Sequence, residues 1–424
     1  MTKTDARRVL IIVENLPVPF DRRVWAEATT LVGTGYEVSV ISPMLKGYTA
    51  EYEEIDGVHI YRHKLHEAGS SRLGYLREYW SALSGQMRLA LKVRRERGFD
   101  VIHACNPPDL IFLIAAFFKL FFGVRFIFDH HDLCPELFEA KFGSRGFLHK
   151  ALLALERLTF AIADVSIATN ESYREIAVTR GGMKPDRVFV VRSGPRLDRM
   201  IIGPGDPSLK MGKKHLVGYV GVIGEQEGLD LLVGAVSHLV NHVGRKDTHF
   251  AIIGDGPELP AVKKLAESKG VSDYFTFYGR APDDVFLKVL NTSDVCVNAD
   301  RCCAMNDKST MNKILEYMAL EKPIVQFELT EGRRSAGGAS LYARPDNVAD
   351  FAIKIDTLLG DPELRRDMGE IGRERIVKRL SWSHSAPVLL RAYAKAFEEK
   401  KTRSAARPAE GRSKGAAARP ALRP

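Results

Sequence analysis

The sequence predicts an α/β protein built from two open, doubly wound parallel sheets. Short apolar strands alternate with amphipathic helices along most of the 424 residues. The strands are apolar throughout, as in parallel sheets covered by helices on both faces. This alternation stops at the Pro- and Gly-containing segment PRLDRMIIGPGDPSLKMGKK and then restarts, which indicates two similar halves joined by a linker.

The first half, residues 1–200, is expected to form one Rossmann-like domain. Its predicted strands are VLIIV, EVSVISP, VHIYRH, DVIHAC, VRFIFDHHD, ADVSIATN and RVFVVRSG. Its predicted helices are RRVWAEATTLV, Leu73–Arg97, Leu110–Phe122, Phe147–Ile162 and SYREIAVTRG. The segment EYEEIDG is interpreted as an acidic loop.

The second half, residues 201–378, is expected to repeat this alternation of strands and helices. Its predicted strands are HLVGYVG, THFAIIG, FTFYG, DVCVNA, IVQF and SLYA. Its predicted helices are LDLLVGAVSHLVNHV, LPAVKKLAESKG, APDDVFLKVLNTS, STMNKILEYMALE, NVADFAIKIDTLLGD and PELRRDMGEIGRERIVKR. A last helix over residues 379–400 is expected to pack back toward the first half, and residues 401–424 are expected to be a basic, disordered tail.

Charge and cysteine usage narrow the class of protein. The net charge is +9, but eight basic residues and one acid lie between residues 400 and 424, so the remainder is close to neutral and nucleic acid is not an expected partner. Five cysteines without a Cys-x-x-Cys spacing indicate a reduced, cytoplasmic chain. No signal peptide is recognised, since the first apolar run is short.

The most apolar stretch, Leu110–Phe128, is interrupted by Lys119, Gly123 and Arg125. A membrane span needs about 20 apolar residues, so we expect a buried helix followed by a strand. A shallow membrane-facing helix is the alternative.

The segment Asn306–Phe327 carries the strongest functional signal. Ser309 and Thr310 are expected to cap a helix whose N-terminus would suit a phosphate. Glu316, further along that helix, is expected to accept hydrogen bonds from a vicinal diol such as a ribose. The alternative is an ordinary amphipathic helix with a solvated Glu and solvated Lys residues.

An ordered set of segments resembles the retaining GT-B glycosyltransferases of family 4, the glycogen-synthase-like group. The segments are GYEVSVISP, HDLCPELFE, YVGVIGEQEGLDLL, FAIIGDGPE, FTFYGR, SDVCVNA, KILEYMALEKPIV and SAGGASLY. This resemblance implies two Rossmann-like domains facing a cleft. It also implies transfer of a sugar from a nucleotide sugar, which is a substrate, so no cofactor is expected.

The family motif Glu-x7-Glu is only half present. Glu316 matches the second Glu, which the family places on the ribose, but Lys308 stands at the first position. Val222 and Glu227 replace the Arg and Lys that grip the diphosphate in the family. We expect Lys308 and Lys313 to take over this task, although loss of the site is the competing interpretation.

Further donor contacts follow from the resemblance. Gly221 and Gly224 would let the backbone approach the diphosphate. Gly254 and Asp255 are expected at a turn near the donor, and Gly279 with Arg280 at the loop that holds the base. Ser309 and Thr310 complete the expected donor site.

The first half is expected to supply the acceptor side. His131 and Asp132 match a family His-Asp pair near the donor sugar, and together with Lys308 they are the expected catalytic residues. Candidate acceptor-binding residues are Asn15, Arg22, Arg23 and Glu136. A metal site in DHHD is the less favoured interpretation, since GT-B enzymes generally need none.

These expectations define a glycosyltransferase with a UDP- or GDP-linked donor and a lipid-linked, polysaccharide or other glycan acceptor. It would act in the cytoplasm. Its basic tail is expected either to be drawn to an anionic membrane surface or to be a solubilising or incidental segment. The rivals are a non-catalytic nucleotide-sugar-binding homologue and a GT-B nucleotide-sugar 2-epimerase or hydrolase.

Overall fold

The computed structural model describes residues 7–65, 72–143 and 145–405, and it places them in two α/β lobes, each built on one sheet. The basic tail lies mostly outside the described residues, at 406–424. In the described part of the chain, no helix is both long enough and apolar enough to cross a membrane.

The first lobe contains an eight-stranded sheet in the order β3-β4-β2-β1-β5-β6-β7-β8. The strands are β1 (Arg8–Ile12), β2 (Glu37–Pro43), β3 (Tyr52–Ile55), β4 (Val58–His63), β5 (Val101–Cys105), β6 (Arg125–His130), β7 (Val165–Ala168) and β8 (Val188–Val190). All neighbours are parallel except β3 and β4. The predicted acidic loop was therefore wrong in part, because Tyr52–Ile55 forms an antiparallel edge strand.

Helices from the first half of the chain flank this sheet. They are α1 (Arg22–Gly33), α2 (Arg72–Glu96), α3 (Phe112–Phe122), α4 (Cys134–Phe142), α5 (Phe147–Ile162) and α6 (Glu171–Thr179). Leu10 and Ile12 of β1 enter one apolar layer, whereas Val9 and Ile11 enter the layer on the opposite face. Successive strand residues thus feed two cores, as a doubly wound sheet requires. The expected helix-then-strand interpretation of Leu110–Phe128 is confirmed by α3 and β6.

The second lobe contains a six-stranded parallel sheet in the order β11-β10-β9-β12-β13-β14. Its strands are β9 (His215–Val220), β10 (Thr248–Ile253), β11 (Phe275–Gly279), β12 (Val295–Asn298), β13 (Ile324–Phe327) and β14 (Ser340–Ala343). Its helices are α7 (Leu229–His238), α8 (Leu259–Ser268), α9 (Asp283–Thr292), α10 (Ala304–Lys308), α11 (Asn312–Ala319), α12 (Thr330–Ala336), α13 (Val348–Gly360) and α14 (Pro362–Arg375).

The last helix, α15 (Trp382–Ala405), returns to the first lobe. Leu389, Ala392, Tyr393 and Ala396 of this helix lie in the same apolar cluster as β1. The helix continues to Ala405, beyond the expected start of the tail at residue 401.

The chain passes between the lobes twice, after β8 and before α15, and these two segments touch each other. A Cβ built on Gly194 would lie 2.2 Å from the carbonyl oxygen of Leu380, and the Trp382 amide donates a hydrogen bond to the Pro195 carbonyl at 3.2 Å. The glycine is therefore required by the close approach of the two backbones.

Candidate functional site

The loops at the carboxyl ends of the strands bring the two lobes together. Arg22, the first residue of α1, donates from Nη1 to Glu316 Oε1 at 3.3 Å and from Nη2 to Asp283 Oδ1 at 2.8 Å. Nearby, the Arg280 guanidinium lies 4.3 Å from the centre of the Phe20 ring. Both contacts join the first lobe to the second at the edge where doubly wound sheets bind ligands.

A second group of contacts crosses the interface at α6. Asn170 Nδ2 donates to the Lys308 carbonyl at 2.8 Å and to Thr310 Oγ1 at 3.1 Å. Glu331 is fully buried, and its Oε1 accepts a hydrogen bond from Ser172 Oγ at 2.7 Å. The carboxylate of α12 thus lies at the N-terminus of α6, where the helix dipole favours a negative charge.

The capping prediction for α11 was wrong. The helix begins at Asn312 and its N-cap is Met311, without a side-chain hydrogen bond. Ser309 instead ends the short helix α10, and its hydroxyl donates to the Met305 carbonyl at 2.8 Å. The extra turn of α10 diverts Ser309 and Thr310 toward α6, which the residue pattern did not reveal.

Tyr317 fixes the helix that carries Glu316. Its hydroxyl accepts a hydrogen bond from the Val220 amide at 2.9 Å and donates to the Val297 carbonyl at 3.3 Å. The α11 helix is thereby attached to the ends of β9 and β12. Sequence reasoning assigned this tyrosine no role, although its place beside Glu316 on the buried face was a usable signal.

Glu316 faces the gap between the lobes. Its side chain is 18% exposed, and it borders a cavity of about 100 Å³ together with Arg22, Ser193, Asn312 and Trp382. Burial raises the pKa of Glu316 to about 7, and the opposing effect of the Arg22 guanidinium is smaller. Burial at the cleft therefore makes it easier for this carboxyl group to bind a proton.

Lys313 is not an uncompensated cation. Its Nζ lies 2.9 Å from Asp300 Oδ1 and 4.9 Å from the centre of the Tyr219 ring, and its side chain is 10% exposed. Burial alone would lower the pKa of Lys313, but Asp300, Tyr219 and Glu227 together outweigh it and the pKa is raised. Glu227 adds further negative charge nearby, and its pKa is raised by burial.

The glycine loops around Lys313 are closely packed. Gly221 and Gly254 have φ angles of +156° and +148°, and a Cβ built on Gly254 would lie 1.8 Å from the Gly221 carbonyl oxygen. A Cβ on Gly221 would lie 3.3 Å from Lys313 Cε. Gly254 also donates its amide to the Gly279 carbonyl at 2.8 Å, so three expected donor residues share one surface of the second lobe.

Lys308 and Glu136 meet across the interface. Lys308 Nζ lies 3.7 Å from Glu136 Oε1, and the lysine side chain is 38% exposed. Glu136 accepts hydrogen bonds from Arg180 Nη1 at 2.6 Å and Nη2 at 3.1 Å. The carboxylate expected to face an acceptor is thus engaged by α6 of its own lobe.

A buried charge cluster lies behind the DHHD strand end. Asp129 Oδ2 is 2.5 Å from His131 Nε2 and 3.2 Å from His103 Nε2, while Arg23 Nη2 donates to Asp129 Oδ1 at 2.9 Å. Burial would raise the pKa of Asp129, but Arg23 and His131 hold it well below its usual range. His131 is consequently held by a carboxylate that stays ionised.

The two arginines of α1 have different roles. Arg22 is 51% exposed and points into the cleft, whereas the Arg23 side chain is 8% exposed and points into its own lobe. Arg23 donates to the Val191 carbonyl at 2.7 Å. It was expected to face an acceptor, but the structure places it in the Asp129 cluster.

Four potential metal ligands, Glu27, Cys105, Asp129 and His131, have ligand atoms within 4.8 Å of one another. The Arg23 guanidinium lies among them, with Nη2 3.2 Å from Glu27 Oε1. The negative charge of this group is therefore balanced by a residue of the chain.

The remaining predicted residues lie in loops that follow strands. Asn15 lies in the loop before α1 and is exposed, as is Asp255, whose Oδ1 accepts from the Gly256 amide at 2.8 Å. Burial raises the pKa of Asp132. Asn106 follows β5 directly, in a strand-end segment where ligands are expected, but it was given no role of its own: its Oδ1 accepts from the His131 amide at 2.7 Å and fixes the end of β6.

Two family profiles match the chain. The profile described as Glycosyltransferase Family 4 matches residues 21–199, and the profile described as Glycosyl transferases group 1 matches residues 214–361. Each profile therefore covers one lobe, and between them they cover most of the chain.

A curated relative is the alpha-maltose-1-phosphate synthase of Mycolicibacterium smegmatis. It is 26% identical over 305 residues, which cover 65% of this chain and 74% of the relative. Three further curated glycosyltransferases align over less than half of their own length, 39%, 45% and 42%.

The fold is similar to that of solved glycosyltransferases. Sucrose-phosphate synthase from Thermosynechococcus elongatus superimposes with a TM-score of 0.75 at 16% identity, covering 93% of this chain and 100% of that structure. HepE of Anabaena, solved with UDP and glucose, gives a TM-score of 0.65 at 14% identity, with 93% and 99% coverage.

Proposed function

Since the chain belongs to the group 1, family 4-like glycosyltransferases and has their GT-B fold, we propose that it moves a hexose from a nucleotide sugar to a glycan or lipid-linked acceptor with retention of configuration. The observation that carries the proposal is the position of Glu316. It is a mostly buried carboxyl group at the cleft, on a helix fixed to β9 and β12 by Tyr317. HepE, a structural neighbour, was solved with UDP and glucose, which supports a uridine nucleotide as the first donor to test.

In the proposed donor complex, Glu316 accepts hydrogen bonds from the ribose hydroxyl groups. Gly221, Gly224 and Gly254 lack side chains and would let the loops come close to the diphosphate, and Gly279 with Arg280 borders the base. Lys313 contributes indirectly, because Asp300 neutralises it and its ammonium polarises the Tyr219 hydroxyl at 3.4 Å. Lys308 is the half-exposed cation that would face the diphosphate from the second lobe.

The reaction requires stabilisation of a departing anion. The bond between the anomeric carbon and the diphosphate oxygen breaks, and its electron pair leaves with the nucleoside diphosphate. A bond forms on the same face to the acceptor oxygen, whose proton passes to the leaving diphosphate. Fixed cations and backbone amides then stabilise the negative charge. His131, oriented by Asp129 and Asn106, would border the donor sugar, with Asp132 beside it.

We propose that the acceptor is membrane-associated. The sequence after residue 400 is strongly basic, and basic residues near an anionic bilayer contribute about 1 kcal/mol each. Phe147 and Leu148, at the start of α5, are 84% and 56% exposed. Both features suit peripheral attachment, which sedimentation with vesicles of anionic and neutral lipids would test.

Glu227 favours a second candidate, a homologue that binds nucleotide sugars without transferring them. Its carboxylate stands where the family has a cation, and Lys313 is already paired with Asp300. Product analysis with donor and acceptor, and with donor alone, separates transfer from epimerisation, hydrolysis and mere binding.

The direct test replaces Glu316 by Gln or Ala and measures UDP, GDP and ADP binding by calorimetry. We expect the variants to lose affinity by at least about tenfold for the nucleotide that the parent chain binds. Glu328→Gln is the matched control, because Glu328 is half exposed and pairs with the exposed Arg333. Unchanged binding in the Glu316 variants would overturn the site assignment.

A further inference from the structure

The glycine loops of the second lobe bring no basic side chain to the donor diphosphate, and Lys308 Nζ lies 3.7 Å from Glu136 of the first lobe. The segment GVIGEQEG after β9 contains two acids and no basic residue. Lys313, the nearest lysine to Gly221, is occupied by Asp300 at 2.9 Å. A departing diphosphate needs fixed positive charge, so a further cation near Glu316 would strengthen the site.

Arg22 of the first lobe is in position to supply it. It is the first residue of α1, which Asp21 caps by accepting from the Arg23 and Val24 amides. Its guanidinium group extends from the helix start to the second lobe, where it meets Glu316 and Asp283. Half of its side chain remains exposed at the cleft.

The contact with Glu316 has to change when a ribose binds. The Glu316 carboxylate would accept hydrogen bonds from the sugar hydroxyl groups, and Arg22 Nη1 would then lose its acceptor. Asp283 would still hold Nη2, so the guanidinium stays beside the ribose. The next group along a nucleotide sugar is the diphosphate, and guanidinium forms strong paired hydrogen bonds with phosphate oxygens.

We propose that Arg22 is the cation that binds the donor diphosphate, and that its contact with Glu316 is its resting position in the empty cleft. The proposal rests on the proposed function, because it needs a nucleotide at Glu316. It places the diphosphate between a cation of the first lobe and the glycine loops of the second. Donor binding would therefore connect the two lobes at the place where the ion pair of Arg22 and Glu316 connects them in the empty cleft.

The test compares Arg22→Gln with Arg199→Gln. Arg199 is a matched control, since it also pairs with Asp283 and borders the same cavity, but the structure describes an ion pair with Glu316 for Arg22 and not for Arg199. Calorimetry measures the affinities of UMP and UDP for each chain, with the GMP–GDP and AMP–ADP pairs in parallel. The quantity of interest is the preference for the diphosphate over the monophosphate.

We expect Arg22→Gln to reduce this preference by about tenfold or more, while Arg199→Gln leaves it unchanged. Arg22→Lys should lie between Gln and the parent chain, because it keeps the charge without the paired donors. If Arg22→Gln raised the affinities for the monophosphate and the diphosphate equally, Arg22 would only compete with the ribose for Glu316. This result would overturn the proposal. An unchanged preference would overturn it as well.

Failure of the proposed function looks different. If the parent chain binds none of the six nucleotides, the donor site at Glu316 is wrong and the role of Arg22 is refuted with it. If the parent chain binds a diphosphate and Arg22→Gln binds both nucleotides as the parent does, only the role of Arg22 is refuted.

Discussion

The Lys313 ammonium and the Asp300 carboxylate form a buried ion pair, with Nζ 2.9 Å from Oδ1. Asp300 is 1% exposed at the carboxyl end of β12, and Lys313 lies in the first turn of α11. The pair joins a strand end to the helix that carries Glu316. A lysine that the sequence suggested for a phosphate therefore also holds the site together.

Replacing Lys313 by Met should destabilise the second lobe by about 3–5 kcal/mol, because Asp300 would remain buried without its partner. Urea denaturation measures the loss. Adding Asp300→Asn should recover much of it, since the uncompensated charge disappears. Lys308→Met is the control and should cost less than about 1 kcal/mol, because its contact with Glu136 is longer and half exposed. Equal losses of unfolding free energy in both lysine variants would contradict the conclusion that the Lys313–Asp300 pair stabilises the second lobe.

The pKa of Glu316 predicts a defined pH dependence. Burial raises it from 4.5 to about 7, so the folded chain holds a proton that the unfolded chain releases. The stabilisation linked to this proton is fully present below pH 4.5 and is lost as the pH rises through 7. The slope approaches about 1.4 kcal/mol per pH unit at its steepest.

Glu316→Gln removes this titration. We expect the unfolding free energy of the parent chain, minus that of the Gln variant, to fall between pH 5 and pH 8. The subtraction is needed because Asp109 and Glu156, with pKa values of about 6 and about 7, titrate in the same range. A difference that stays constant over this range would show that Glu316 is ionised throughout.

Much of the fold could be predicted, because apolar strands and amphipathic helices leave periodic patterns. Strand β3 was missed because its residues, YEEI, are acidic and lie at a sheet edge, where exposure removes the apolar signal. The short helices α10 and α12 were missed because each has fewer than eight residues and polar composition. Local patterns fail where tertiary contacts decide the conformation.

The sequence predicted where the site lies in the fold, but it did not predict which side chains contact one another there. Glu316 lies at the cleft, as expected from the rule that ligands bind beyond the strand ends. The different directions of the Arg22 and Arg23 side chains could not be predicted. Neighbouring residues on a helix point about 100° apart, and the sequence does not show which direction is inward. Likewise, Asp300 meets Lys313 only after β12 and α11 have packed.

Gly254→Ala should disrupt the donor loops. The residue has a φ of +148°, and the new Cβ would lie 1.8 Å from the Gly221 carbonyl oxygen. Backbone strain of this kind costs about 1–3 kcal/mol, and the displaced loop should lose nucleotide affinity. Thermal unfolding and calorimetry measure the two effects. Gly224→Ala is the control: its Cβ would meet only the end of the flexible Glu227 side chain, at 2.7 Å, so it should retain most of the stability.

Tyr393→Phe tests how α15 is attached to the first lobe. The Tyr393 hydroxyl lies 2.7 Å from His103 Nδ1, and both residues are fully buried. Loss of the hydroxyl leaves the imidazole nitrogen without this partner, and we expect a cost of about 1–3 kcal/mol in chemical denaturation. Tyr36→Phe is the matched control, because its hydroxyl accepts an exposed hydrogen bond of 3.4 Å from Arg7, and it should cost less than about 0.5 kcal/mol. If both variants lose the same free energy, packing of the rings rather than the hydrogen bond to His103 holds the helix in place.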